Sequence, residues 1–97
     1  MLFAATGQAL IETPLAPPEP AIARFLGAAM LAVANFEATV EAPAGFPTKA
    51  GTRHVARRDV LASLRALGIS ALAHANNHAF DLGPGGVLST VEEAGVW

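Results

Sequence analysis

The sequence predicts an α/β fold, a β-α-β-α-β-α chain built on a parallel sheet. Three observations carry this expectation. Short apolar runs at Leu2 to Thr6, Met30 to Ala34 and Ile69 to Ala75 lack clean apolar–polar alternation, the pattern of strands covered on both faces. Segments with helical spacing separate and follow these runs. The spacing of strand and helix suits parallel pairing through right-handed crossovers.

The elements follow in order. The first strand, Leu2 to Thr6, is rich in alanine, so its side chains are small and its strand propensity is weak. Pro14, Pro17, Pro18 and Pro20 then form a stiff connection. Pro20 suits the first turn of a helix over Pro20 to Ala29, in which Ile22, Phe25, Leu26 and Ala29 share one face. Met30 to Ala34 is the second strand. The stretch from Ala38 to Ala56, rich in Pro, Gly and Thr, reads as a long surface loop. A second helix over Arg57 to Leu67 places Val60, Leu61, Leu64 and Leu67 on one face and Arg58 and Arg65 on the other, with Gly68 as its left-handed stop. Arg57 and Arg58 oppose the helix dipole, partly offset by Asp59; a solvated pair is favoured there over an anion site. After the third strand, a helix over about Gly85 to Ala94 is expected to bury Val87, Leu88 and Val91, with Gly95 as its stop. Val96-Trp97 reads as the opening of a fourth strand.

Composition narrows the function classes. The 97 residues include no cysteine, are 53% hydrophobic and only 14% charged, so disorder is excluded as the main state. Thiolate metal sites and disulfides are excluded as well. A net charge of −2 with six scattered basic residues gives no footprint for nucleic acid. Mean hydropathy is +0.43, yet the longest apolar run, Phe25 to Ala34, is far short of the roughly 20 residues that span a bilayer. The amino terminus lacks the basic start of a secretory signal. A soluble chain without a membrane segment is therefore expected.

In open α/β sheets ligands bind beyond the carboxyl ends of the strands. Three segments lie there: Gly7-Gln8, Asn35-Phe36-Glu37 and Asn76-Asn77-His78. Convergence of Glu37, Asn77, His78 and Asp81 at one rim would make a divalent metal site. Simpler roles stand beside that reading. His74, inside an apolar strand, reads as a hydrogen-bonded core imidazole before it reads as a ligand. His54 reads as an exposed loop residue, Asn76 and Asn77 as turn formers, and Asp81 as a residue bonding loop N–H groups. Gly83, Gly85 and Gly86 lack a following Lys-Ser/Thr, which rejects a phosphate-binding P-loop.

The run Leu72-Ala73-His74-Ala75-Asn76-Asn77-His78-Ala79-Phe80-Asp81-Leu82-Gly83, followed by Gly86 and Thr90, closely resembles the A-N-N-H-x-x-D-x-G signature of the bacterial capsule synthesis family CapA. Asn35-Phe36-Glu37 is similar to that family's N-L-E motif, and Arg58 to Gly68 looks like the helix before its third strand. The resemblance is strong from about Met30 to Val96. The family includes proteins of poly-γ-glutamate synthesis and has a calcineurin-like metallophosphoesterase fold. The resemblance implies that Asn77 and Glu37 are ligands of a divalent metal (Mn, Zn or Fe), and that His78 protonates or steadies a leaving oxygen. It further implies that Asn35 orients its loop, with Asn76 in support, and that Asp81 holds the His78 loop. Gly7-Gln8 stands where the family has Gly-Asp, so Gln8 offers an amide oxygen in place of a charged ligand.

The family is about three times this length, and its later half carries histidine ligands. The chain is accordingly expected to be a partial domain over 1–97, resembling the first half of a metallophosphoesterase-like sandwich. Two functional classes follow. One is a metal-dependent, phosphoesterase-like or polymer-handling protein, completed by a carboxy-terminal half or partner chain, in a family commonly found at the cell envelope. The other is a non-catalytic remnant or interaction module that forms homo-oligomers through an exposed sheet edge.

Overall fold

The structure is a computed structural model that describes residues 2–95. The order is β1 (Phe3–Ala9), α1 (Pro20–Gly27), β2 (Leu31–Phe36), β3 (Thr39–Val40), β4 (Val55–Ala56), α2 (Val60–Leu67), β5 (Ala71–Ala73) and α3 (Gly83–Gly95). Strands β1, β2 and β5 form a parallel sheet in the order β1-β2-β5, so the α/β class and its parallel sheet are as the sequence predicts. The register sets Ala4 beside Ala32 and Ala34 beside Leu72, with a shift in β1 between Ala5 and Gln8.

Central strand β2 does alternate in burial. Ala32, Ala34 and Phe36 are buried, and they join Leu26 of α1 and Leu61 and Leu64 of α2 in one hydrophobic cluster. Alanine in the strand lets these helices lie close, since bulk comes from the leucines above. Gly68 ends α2 in the left-handed conformation at φ 107°. A Cβ there would sit 2.8 Å from Leu26 Cβ, so the same glycine terminates α2 and admits α1 beside it.

The expectation of strands covered on both faces fails for β1. It lies at a sheet edge, and Leu2 and Phe3 are exposed, as are Met30 and Leu31 at the start of β2. The inward face proposed for α1 is also too wide: Leu26 is buried, whereas Ile22 and Phe25 are exposed. The face proposed for α2 holds, with Val60, Leu61 and Leu64 all buried.

The stretch from Ala38 to Ala56 is not simply a surface loop. Its two ends pair as a second parallel sheet, Thr39 opposite Val55 and Val40 opposite Ala56. Ala38, Thr39, Val40 and Ala56 are fully buried. Two-residue strands carry no periodicity, so nothing local announces them.

Helix α3 packs on β3 in the opposite sense to its apolar pattern. Gly86, Ser89 and Thr90 are buried, while Leu88 and Val91 are 68% and 58% exposed. Hydroxyls decide this orientation. Thr90 Oγ1 accepts the buried Val40 N–H at 2.8 Å and donates to Gly86 O at 2.8 Å, and Ser89 Oγ donates to Glu41 O at 2.9 Å. Turning α3 to bury Leu88 would strand the Val40 N–H without a partner, a cost of about 1–3 kcal/mol. The expected strand opening at Val96-Trp97 lies outside the described residues. Among the described residues no helix is long and apolar enough to cross a membrane.

Candidate functional site

The segment from His74 to Gly83 leaves the carboxyl end of β5 and turns back into α3. Asn76 organises it. Its Nδ2 donates to Asn35 Oδ1 at 3.0 Å and to Phe36 O at 2.8 Å, and its Oδ1 accepts the His78 N–H at 3.0 Å. One amide thus joins the loop after β2 to the loop after β5 and folds the latter into an Asx turn. Asn35 extends the chain of bonds, donating through Nδ2 to Glu37 Oε2 at 3.4 Å. Glu37 is half-buried, and its N–H donates to Ala9 O at 3.0 Å, which ties it to the end of β1.

Asp81 is the electrostatic centre, with only 1% of its surface exposed. Oδ2 accepts the His54 backbone N–H at 2.8 Å and faces His78 Nδ1 at 2.7 Å; Lys49 Nζ lies 2.8 Å from Oδ1. Burial alone would raise its pKa. The Lys49 ammonium, the His54 N–H and His78 outweigh burial and hold the carboxyl down to about 2. An ionised carboxylate only accepts, so His78 carries its proton on Nδ1, which leaves Nε2 for chemistry. Lys49 also lies 3.4 Å from His78 Nδ1; with that nitrogen protonated both atoms are donors, so they do not bond one another and each serves Asp81.

The remaining candidates separate. Asn77 is exposed beside the buried His78, and Gln8 is exposed opposite Asn35 in the β1–β2 register. His74 donates from Nε2 to Ala38 O at 3.0 Å, and its ring lies 5.9 Å from that of Phe36; it takes the hydrogen-bonded structural role. Gly83, with φ 69°, and Gly86 serve close packing against Phe46 and Thr39.

Three residues enter the site without local signal. His54 is not simply an exposed loop residue: its side chain is 19% exposed, its ring lies edge-on to His78 at 4.3 Å, and its Nδ1 is 3.1 Å from Glu12 Oε1. Lys49 and Glu12 are the other two. Their contacts bridge separations of 32 residues to Asp81 and 42 to His54, beyond any motif window. The one available signal is that Lys49 is the only lysine in the chain.

A profile of the bacterial capsule synthesis protein PGA_cap matches residues 3–95. The chain belongs to this family. No curated protein matches it significantly. The match takes in every strand and helix described above, together with the Asn76–Asp81 loop.

Within this capsule synthesis domain, the donor chemistry fits a hard-to-borderline cation only in part. Glu37 offers a carboxylate that makes one long hydrogen bond, and Asn77 an exposed amide oxygen. Among the described residues no three of His, Asp and Glu gather as a metal site. Asp81 is committed to Lys49, His54 and His78.

Proposed function

We propose that this chain is the amino-terminal part of a capsule synthesis domain of the poly-γ-glutamate type, related to metallophosphoesterases. In this reading His78 handles a proton at a leaving oxygen during cleavage of a phosphoester-like bond. The observation that carries it is the Asp81–His78 pair: a buried carboxylate fixes Nδ1 and leaves Nε2 for proton transfer. The imidazolium that forms when Nε2 takes a proton is stabilised by Asp81, so the same ring can return that proton to a leaving group. Glu37 and Asn77 would hold a divalent metal (Mn, Zn or Fe), which supplies polarisation of a phosphoryl oxygen when bound. Further ligands would have to come from a carboxy-terminal segment or a partner chain.

The reading predicts that Mn or Zn raises the melting temperature of the chain, and that Asn77→Ala combined with His78→Ala abolishes the rise. Thermal melts unchanged by every metal tried would remove the metal-dependent reading.

A second reading rests on the sheet. Among the described residues, strands β1 and β5 are its edges, and Phe3 and Leu31 are exposed side by side in register. These features support an interaction module that pairs with another chain through an edge. It predicts oligomers by light scattering; a monodisperse monomer indifferent to metal would count against both readings.

A further inference from the structure

The proposed proton-handling role makes a demand on His78 that Asp81 alone does not meet. The bond from Nδ1 to Asp81 Oδ2 at 2.7 Å fixes one point of the imidazole. That single bond leaves the ring free to librate: small coupled changes in χ1 and χ2 tilt its plane about the bonded nitrogen and carry Nε2 with it. The second constraint comes from His54. Its ring meets that of His78 at 4.3 Å between centroids and 64° between planes. Its backbone N–H bonds the same Oδ2 atom at 2.8 Å, so both imidazoles are referenced to one oxygen. The His54 ring is itself anchored, because Nδ1 faces Glu12 Oε1 at 3.1 Å. The Glu12 side chain is half-exposed, while its backbone carbonyl accepts the Arg57 N–H at 3.0 Å and keeps the segment beside His54.

We propose that His54, anchored by Glu12, is a positioning residue that sets the ring plane of His78 and hence the direction of Nε2. The site is then a tandem of two carboxylate–imidazole pairs, Asp81–His78 and Glu12–His54, joined by an edge-to-face contact. The segment after β1 contributes to it through Glu12. Gln8, the residue aligned with the family's acidic position, is exposed and has no part in the pair. Aromatic rings prefer this edge-to-face arrangement, and it resists rotation of either ring.

This inference rests on the reading of His78 as the proton-handling group, and its test separates the two. Imidazole 15N–1H correlation spectra of the full chain at neutral pH report the tautomer and ring environment of each histidine. The parent is expected to show one His78 species, protonated on Nδ1. In His54→Ala the His78 signals should shift and broaden into a mixture of environments. In His54→Phe, which keeps an aromatic wall but cannot bond Glu12, they should return only part of the way to the parent pattern. Identical His78 signals in the parent and His54→Ala would overturn the proposal. So would a His54→Phe spectrum no closer to the parent than that of His54→Ala. Turnover of bis-p-nitrophenyl phosphate with Mn supplies the second arm: His54→Ala should lower kcat roughly tenfold with KM unmoved. If the parent shows no turnover, this chain by itself does not carry out the phosphoester reaction, and the imidazole spectra still decide the role of His54.

Discussion

Asp81→Ala is expected to destabilise the chain by about 3 kcal/mol, the largest effect of any site substitution. Three donors converge on this carboxylate: the Lys49 ammonium, the His54 N–H and His78 Nδ1. Lys49 is 36% exposed and recovers water when its partner goes, so its share of the loss is small. His54 N–H and His78 Nδ1 are more enclosed and lose an acceptor that water replaces poorly. In a chain of this size the loss corresponds to a fall in Tm of roughly 15 °C. Urea melts of Asp81→Ala within 1 kcal/mol of the parent would show that the carboxylate does not hold the loop.

The same carboxylate contributes to the acid sensitivity of the fold. Its pKa is lowered from 3.8 to about 2 in the folded chain, so the folded state binds this proton less readily than the unfolded one. The resulting stabilisation, about 2 kcal/mol, is present in full above pH 3.8 and is lost as the pH falls towards 2. Asp81→Asn should remove this component, flattening the pH dependence of stability in that window.

Gly86→Ala is expected to destabilise the chain by about 2 kcal/mol, against the sign of helix propensity. In an open helix interior, alanine is favoured over glycine by about 1 kcal/mol. At Gly86 the added Cβ would lie 2.5 Å from Thr39 Oγ1 and 2.8 Å from Leu82 Cβ, so α3 must lift from β3. Lifting α3 loosens the Thr90 hydroxyl from the buried Val40 N–H, adding a lost hydrogen bond to the overpacking. Gly27 is the control. It closes α1 with nothing within 4 Å of its Cβ position, so Gly27→Ala should be neutral or slightly stabilising in the same urea melts. Equal effects at the two glycines would refute close approach as the reason for Gly86.

Legibility in the sequence tracks the range over which each choice is made. Helix α2 is readable because its face, its glycine stop and its burial agree within one window of Val60 to Gly68. Helix α3 is misread because its leucine and valine stripe loses to hydroxyls that satisfy β3, and β3 has no periodicity of its own. The Asn76–Asp81 loop stands out because its turn chemistry is local. The residues that complete its electrostatics, Glu12, Lys49 and His54, reach it from two distant loops.

By itself, then, the sequence determined an α/β class, a parallel sheet, membership of a capsule synthesis family and a polar loop built around Asn76, His78 and Asp81. Those features depend on short-range spacing, turn-forming side chains and the apolar runs that strands require. Tertiary structure decided which helix face is buried, that the ends of the Ala38 to Ala56 stretch pair, and that Asp81 gathers Lys49, His54 and His78. The reason is common to all three. Burial makes an unpaired donor or charge costly, and the partners that relieve that cost are chosen by where the sheet brings distant loops together.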